Sequence, residues 1–382
     1  MMKRILHYVL LAAVLLGVPA LCAWLGGFDE IWEGVKSFPP RTEDWGFHPE
    51  KLWNHRRPFS WPWFLGMAAL TAVCTGPLVR RAVRAARTKT APAAAHKGTY
   101  RFPWWGWVGV GILAVAWTFA WNRFAWFAPY QPHTYMPLWI GYILIINGLT
   151  VKRVGSSPMT RHPLPFLLTF PASSLFWWFF EYLNRYVWNW YYQGVDHMSA
   201  LEYTFYATFC FTSVLPAVAS TAAWLHTFAA FRDDAYDGMA RVDLRRPRWM
   251  LFLLGLAAAG LTGIVFCPQY TYPLLWLSPL AMFLFLQFLL REPSVMDRTR
   301  TGNWSAFFRF AVAALICGVC WETWNYYSFS KWIYCVPYVH RFQIWEMPLI
   351  GFAGYLPFGV ECAAVTAWIC PALVENEERI EG

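Results

Sequence analysis

Ten apolar stretches, at about 5–25, 61–79, 103–121, 136–151, 163–183, 202–231, 249–267, 272–290, 304–325 and 344–371, leave this chain almost no choice of environment. A helix of roughly twenty apolar residues crosses the ~30 Å hydrocarbon layer. There, every backbone N–H and C=O must be satisfied within the segment. The sequence therefore predicts an all-α polytopic membrane protein of about ten transmembrane helices. Composition agrees: 58% of residues are hydrophobic and 14% charged, against about a quarter charged in soluble domains. The 26 Trp and 19 Tyr suit rings placed at the two bilayer interfaces.

The net charge of +9 does not describe a nucleic-acid surface, because the basic residues fall in short loops between the apolar runs. They set topology instead. With both termini cytoplasmic, 21 Lys and Arg fall on the inner side and nine on the outer, with Arg309 inside a helix. This places the chain as a multi-pass protein of a bacterial inner membrane. Residues 5–25 read as a retained first helix, since Ala20-Leu21-Cys22-Ala23 makes no cleavage site. Segment 26–60, with Phe28, Ile31, Trp32 and Val35 at helical spacing, is expected to lie on the outer surface. Three units follow: 1–100, a hairpin with that outer segment and a basic cytoplasmic linker; 101–232, a four-helix repeat; and 233–382, a second repeat with an acidic tail.

The repeat rests on one motif. Glu322 and Asn325 stand three residues apart within Trp321-Glu322-Thr323-Trp324-Asn325-Tyr326-Tyr327, on one helix face. Glu181 and Asn184 stand likewise in Phe180-Glu181-Tyr182-Leu183-Asn184-Arg185-Tyr186, 141 residues earlier. The same offset carries Leu215-Pro216 onto Leu356-Pro357. Because four helices separate the copies, both cross with one polarity, as in parallel transporter repeats. Pro216 and Pro357 are expected to break their helices and free carbonyls in the membrane.

Of the 22 acidic residues, six lie in the outer segment and ten in cytoplasmic loops or the tail. The other six are Glu181, Asp196, Glu202, Glu322, Glu346 and Glu361. Glu181 and Glu202 bracket His197, and Glu322 and Glu346 bracket His340. The expected candidate site is thus Glu181, Asn184, His197, Glu202, Glu322, Asn325, His340 and Glu346, with Glu361 apart in the last helix where the first copy has Ser220. A carboxylate near the membrane costs roughly 2.5 kcal/mol or more unless paired. Three readings meet that need: hydrogen-bonded structural glue, a vestibule for a small cation, proton or polar solute, or an acid–base pair acting on a lipid or polyisoprenoid. The spacings match no metal motif, no cofactor motif appears, and nine Cys scattered through apolar spans form no disulfide framework.

The run Phe176-Trp177-Trp178-Phe179-Phe180-Glu181-Tyr182-Leu183-Asn184-Arg185, with Asn189-Trp190-Tyr191-Tyr192, resembles a group of Trp-rich bacterial inner-membrane proteins sometimes labelled mechanosensitive-channel proteins. The resemblance spans both repeats and implies no catalytic residue. The expectation is a channel, transporter or sensor with an outward-facing, carboxylate-lined vestibule. The alternatives are a membrane-embedded enzyme on a lipid or polyisoprenoid and a structural or assembly subunit, with the lipid bilayer as partner throughout.

Overall fold

A computed structural model describes residues 2–27, 57–87 and 100–374. Phe28, Ile31, Trp32 and Val35, the linker residues Lys89 and Lys97, and the acidic tail lie outside the described residues. The chain is mostly helical. Seven helices are long and apolar enough to cross a membrane: Trp61–Arg84, Trp104–Trp121, Pro163–Val187, Ala200–His226, Pro247–Phe266, Ser305–Tyr326 and Leu349–Ile369. A bent pair, Ala125–His133 with Tyr135–Val154 at 67°, makes an eighth candidate, and two shorter apolar helices, Ala12–Leu25 and Leu274–Leu289, occupy the remaining apolar stretches.

The helices are labelled α1 (Met2–Leu25), α2 (Trp61–Arg87), α3 (Trp104–Trp121), α4 (Tyr135–Val154), α5 (Pro163–Val187), α6 (Ala200–Phe211), α7 (Val214–His226), α8 (Pro247–Phe266), α9 (Leu274–Leu289), α10 (Ser305–Tyr326) and α11 (Tyr355–Ile369). Large apolar side chains stand exposed along them, among them Val73 at 73%, Trp104 at 76%, Leu175 at 75% and Leu201 at 81%. Exposed apolar surface on that scale requires a covering, and lipid supplies it. The protein is an integral, multi-pass membrane protein.

Between apolar helices in lipid, small residues permit close packing. α3 crosses α4 where a Cβ on Gly141 would sit 2.9 Å from the Gly109 carbonyl oxygen, and a Cβ on Gly359 of α11 would sit 2.1 Å from the Phe310 carbonyl oxygen of α10. Aromatic rings fill the centre. Trp139 of α4 is fully buried, with its ring centre 4.9 Å from those of both Trp321 and Trp324 of α10.

The expected helix breaks occur just before the prolines rather than at them. α6 ends at Phe211, α7 begins at Val214, and Pro216 is the third residue of α7. A 3-10 turn, Leu349–Gly354, precedes α11, and Pro357 is its third residue. The first turn of a helix has N–H groups with no intrahelical acceptor, so a proline there removes nothing the helix needs.

Two ends of the bundle are polar. At the start of α10, Asp233 gathers Arg309, Arg298 and His226 at 3.0, 3.2 and 3.4 Å. At its other end, roughly 33 Å away at 1.5 Å per residue, two short strands cap the bundle: β1 (Trp190–Gln193) and β2 (Lys331–Tyr334). They pair antiparallel, with Trp190 opposite Tyr334, Tyr191 opposite Ile333 and Tyr192 opposite Trp332.

Candidate functional site

The cap joins the two Glu-x-x-Asn motifs. α5 ends where Trp188 takes a left-handed conformation (φ 53°) and returns its N–H to the Asn184 carbonyl, so the chain turns back over the helix end. The Asn184 carboxamide then holds the returning strand. Its Nδ2 donates to the Trp190 carbonyl at 2.8 Å, and its Oδ1 accepts from the Asn189 N–H at 2.8 Å. Asn325 holds its strand in a similar way, with both contacts on one residue. Its Nδ2 donates to the Trp332 carbonyl at 2.8 Å, and its Oδ1 accepts from the Trp332 N–H at 2.9 Å. A carboxamide has one acceptor and one donor end, and here the two bond a peptide group as a neighbouring strand would.

The glutamates hold the aromatic side chains of those strands. Glu181 Oε1 accepts from Trp177 Nε1 at 3.0 Å, Trp190 Nε1 at 3.1 Å and the Tyr192 hydroxyl at 2.6 Å. Glu322 Oε1 accepts from the Tyr334 hydroxyl at 2.8 Å and the Tyr355 hydroxyl at 2.7 Å, while Trp332 Nε1 donates to the Tyr334 oxygen at 3.0 Å. Both carboxyl groups are fully buried, and the second oxygen of each has no hydrogen-bond partner among the described residues. Burial, then the adjacent Glu181, pushes the Tyr192 phenol well above its usual range; burial, then Glu322, does the same to Tyr334. Both phenols therefore remain donors.

The two motifs thus correspond as Glu181, Asn184, Trp190, Tyr192 and Glu322, Asn325, Trp332, Tyr334. Strand pairing sets each Trp opposite the other motif's Tyr, with Tyr191 and Ile333 at the centre. Trp190, Tyr192, Trp332, Tyr334 and Tyr355 are absent from the sequence-based candidates. The available signal was the Trp-x-Tyr triplet six or seven residues after each asparagine.

The other candidates stand elsewhere. Glu202 closes a capping box with Ser199, its Oε2 accepting the Ser199 N–H at 2.8 Å and hydroxyl at 2.7 Å. Glu346 pairs with Lys331 at 2.6 Å. His197 has its ring centre 6.3 Å from that of Phe329, and His340 Nε2 lies 2.8 Å from Gln343 Nε2. Glu361 is fully buried one turn beyond Pro357, and neither of its oxygens has a hydrogen-bond partner among the described residues. At the aligned position Ser220 accepts from Asn147 Nδ2 at 2.8 Å and donates to the Pro216 carbonyl at 2.6 Å. Among the described residues, no cluster of three or more His, Cys, Asp or Glu could hold a metal ion, and no Cys is in a disulfide.

Beneath the cap lies a cavity of about 740 Å³. Its walls are overwhelmingly apolar and aromatic. They run along α10 from Phe307 to Trp321, roughly 21 Å of helix, and along α2 through Met67, Leu70, Thr71, Cys74, Thr75, Leu78 and Val79. The α2 spacing of three and four residues is one helix face. Trp177, Trp190, Tyr192, Trp332, Tyr334 and Tyr355 form part of the lining, whereas Glu181, Glu322 and Glu361 do not.

No family model, curated protein or solved structure matches this chain.

Proposed function

We propose that this membrane protein binds a long-chain amphiphile of the bilayer, a lipid or polyisoprenoid, in the cavity between α2, α10 and the strand cap. The carrying observation is the cavity itself. Its 740 Å³ falls within the range of small-molecule sites, its length suits a chain, and its walls are apolar. A hydrated cation or polar solute gains little from such walls. The carboxylate-lined vestibule is correspondingly less well supported: Glu181 and Glu322 sit behind the aromatic lining, and Glu202 and Glu346 each have a local partner. The reading favours handling of an amphiphile, whether in carriage or in conversion, over an ion path.

Leu315 of α10 lines the cavity midway along its length, so Leu315→Trp obstructs it there. Native mass spectrometry of protein purified in mild detergent is expected to show a retained lipid, with at least tenfold less in the variant. A wild-type protein that retains none and takes up no added single-chain lipid overturns the proposal.

The same proposal includes ten spans, an N-terminal hairpin within 1–100 and four-helix repeats at 101–232 and 233–382. It is supported by the matching motif contacts and by α3 packing on α4 as α8 packs on α9. The charge asymmetry supports cytoplasmic termini and a bacterial inner membrane. A cysteine placed by Arg84→Cys should react with a membrane-impermeant thiol reagent only after the inner face is opened. Reaction from outside intact cells would reverse the orientation.

A further inference from the structure

Proteins that bind anionic headgroups aim N–H and O–H donors at them. The lining beneath this cap does the opposite. The Tyr192, Tyr334 and Tyr355 hydroxyls donate to Glu181 or Glu322, which lie outside the lining. The indoles of Trp177 and Trp190 donate to Glu181, and that of Trp332 to the Tyr334 oxygen. Since Glu181 Oε1 also receives two indole N–H groups, which can only donate, it acts as an acceptor towards Tyr192 as well. Of the lower and rim donors, Thr71 and Thr75 bond carbonyls of their own helix and Ser330 bonds the Gly194 carbonyl, whereas the Tyr272 hydroxyl has no hydrogen-bond partner among the described residues. The Lys331 ammonium is held by Glu346 at 2.6 Å and faces the Tyr326 carbonyl at 3.4 Å.

A phenol whose hydrogen is taken offers a ligand its oxygen lone pair and its ring face. An indole whose N–H is taken offers only its ring face. Ring faces carry negative quadrupole potential and attract cations, most strongly where water is excluded. Trp276 adds to this layer, stacked on Trp190 at 5.6 Å and on Phe180 at 4.9 Å between ring centres. Behind it stand Glu181, which the buried Arg185 guanidinium partly offsets, and Glu322, so the ring faces and phenol oxygens set the preference of the cavity's upper end for positive charge, and the cavity's long lower part favours a chain.

We infer that the amphiphile carries a positively charged ammonium head, seated in the phenol–indole layer with its chain running down the cavity along α10. This rests on the amphiphile reading above and specifies its head. The ligand class is a single-chain amine or quaternary ammonium. Neutral and anionic chains are the contrasting cases.

Tryptophan fluorescence of the full chain in lipid nanodiscs tests this with three sixteen-carbon probes: hexadecyltrimethylammonium, hexadecanol and hexadecyl phosphate. The ammonium is expected to bind at least tenfold more tightly than the alcohol, and the phosphate more weakly than either. The combined Tyr192→Phe, Tyr334→Phe, Tyr355→Phe variant should bring ammonium affinity down towards that of the alcohol, with the alcohol's own affinity falling by less. If that variant does not fold, Tyr355→Phe alone, which leaves Tyr334 on Glu322, should show a smaller shift in the same direction. Equal affinity for the three probes, or preference for the phosphate, overturns the ammonium assignment and leaves the amphiphile reading standing. Failure of all three to bind overturns both.

Discussion

Glu181→Ala is expected to destabilise the protein by about 3–5 kcal/mol, whereas Glu181→Gln, which keeps the acceptor oxygen, should cost less. Three donors converge on Glu181 Oε1, from Trp177, Trp190 and Tyr192. Each buried donor left without an acceptor costs roughly 1–3 kcal/mol. Removing the carboxyl also removes a buried polar oxygen that has no partner of its own among the described residues, which holds the total below the sum of three such penalties. Glutamine keeps a carbonyl oxygen able to accept all three. The test compares thermal and denaturant unfolding of both variants in one detergent. A glutamine variant as damaged as the alanine variant would mean that the charge matters rather than the acceptor, and would return the ion-binding reading to the front. The Glu322 pair should show the same order with a smaller gap, because only two phenols depend on that carboxyl and a hydroxyl can rotate to another acceptor.

That contrast follows from which half of the clasp the sequence displays. Glu181, Asn184, Glu322 and Asn325 are visible because a polar pair recurring at one offset stands out from an apolar helix. Their partners do not stand out. Among 26 Trp and 19 Tyr, Trp190, Tyr192, Trp332 and Tyr334 have no distinguishing composition, and each strand is four residues long, too short for a readable alternation. The second strand is also displaced by one residue, Asn184 reaching Trp190 and Asn325 reaching Trp332. The 141-residue offset that aligns the glutamates therefore misaligns the aromatics. Strand pairing between loops so far apart in sequence is long-range information that local pattern does not carry. The grouping of Glu202 and Glu346 with the motif came from proximity in sequence. A Ser-x-x-Glu capping signature at Ser199–Glu202 was legible and gives Glu202 a local role.

The opposite end of the bundle carries the second large effect. Arg309 lies within α10 at 4% exposure, so it does not reach the surface as a free cation at a helix start would. It meets Asp233 at 3.0 Å, and it also donates to the Val374 carbonyl at 3.3 Å. Arg298 and His226 reach the same carboxylate, while Asn303 bonds the Asp233 backbone carbonyl. Asp233 thus links the end of α7, the turn at Asp297–Thr301 and the start of α10. Asp233→Ala leaves a buried guanidinium without its counter-charge; breaking a fully buried pair typically costs about 3–5 kcal/mol, and the 35% exposure of Asp233 lowers that cost here through solvent screening. Asp233→Asn keeps an acceptor oxygen and should cost less. Burial alone would raise the Asp233 pKa. The His226 hydrogen bond and the two arginines outweigh it and hold the carboxyl well below the usual range. A group depressed in the folded state contributes stability fully above its unfolded pKa, about 3.9 for Asp, and loses it as pH falls towards the folded value. The stability gap between wild type and Asp233→Asn should therefore narrow as pH falls below about 4. Unfolding midpoints of the two proteins from about pH 5 downwards decide the matter, and a gap that widens below about pH 4 would show that Asp233 is not the group stabilising this end.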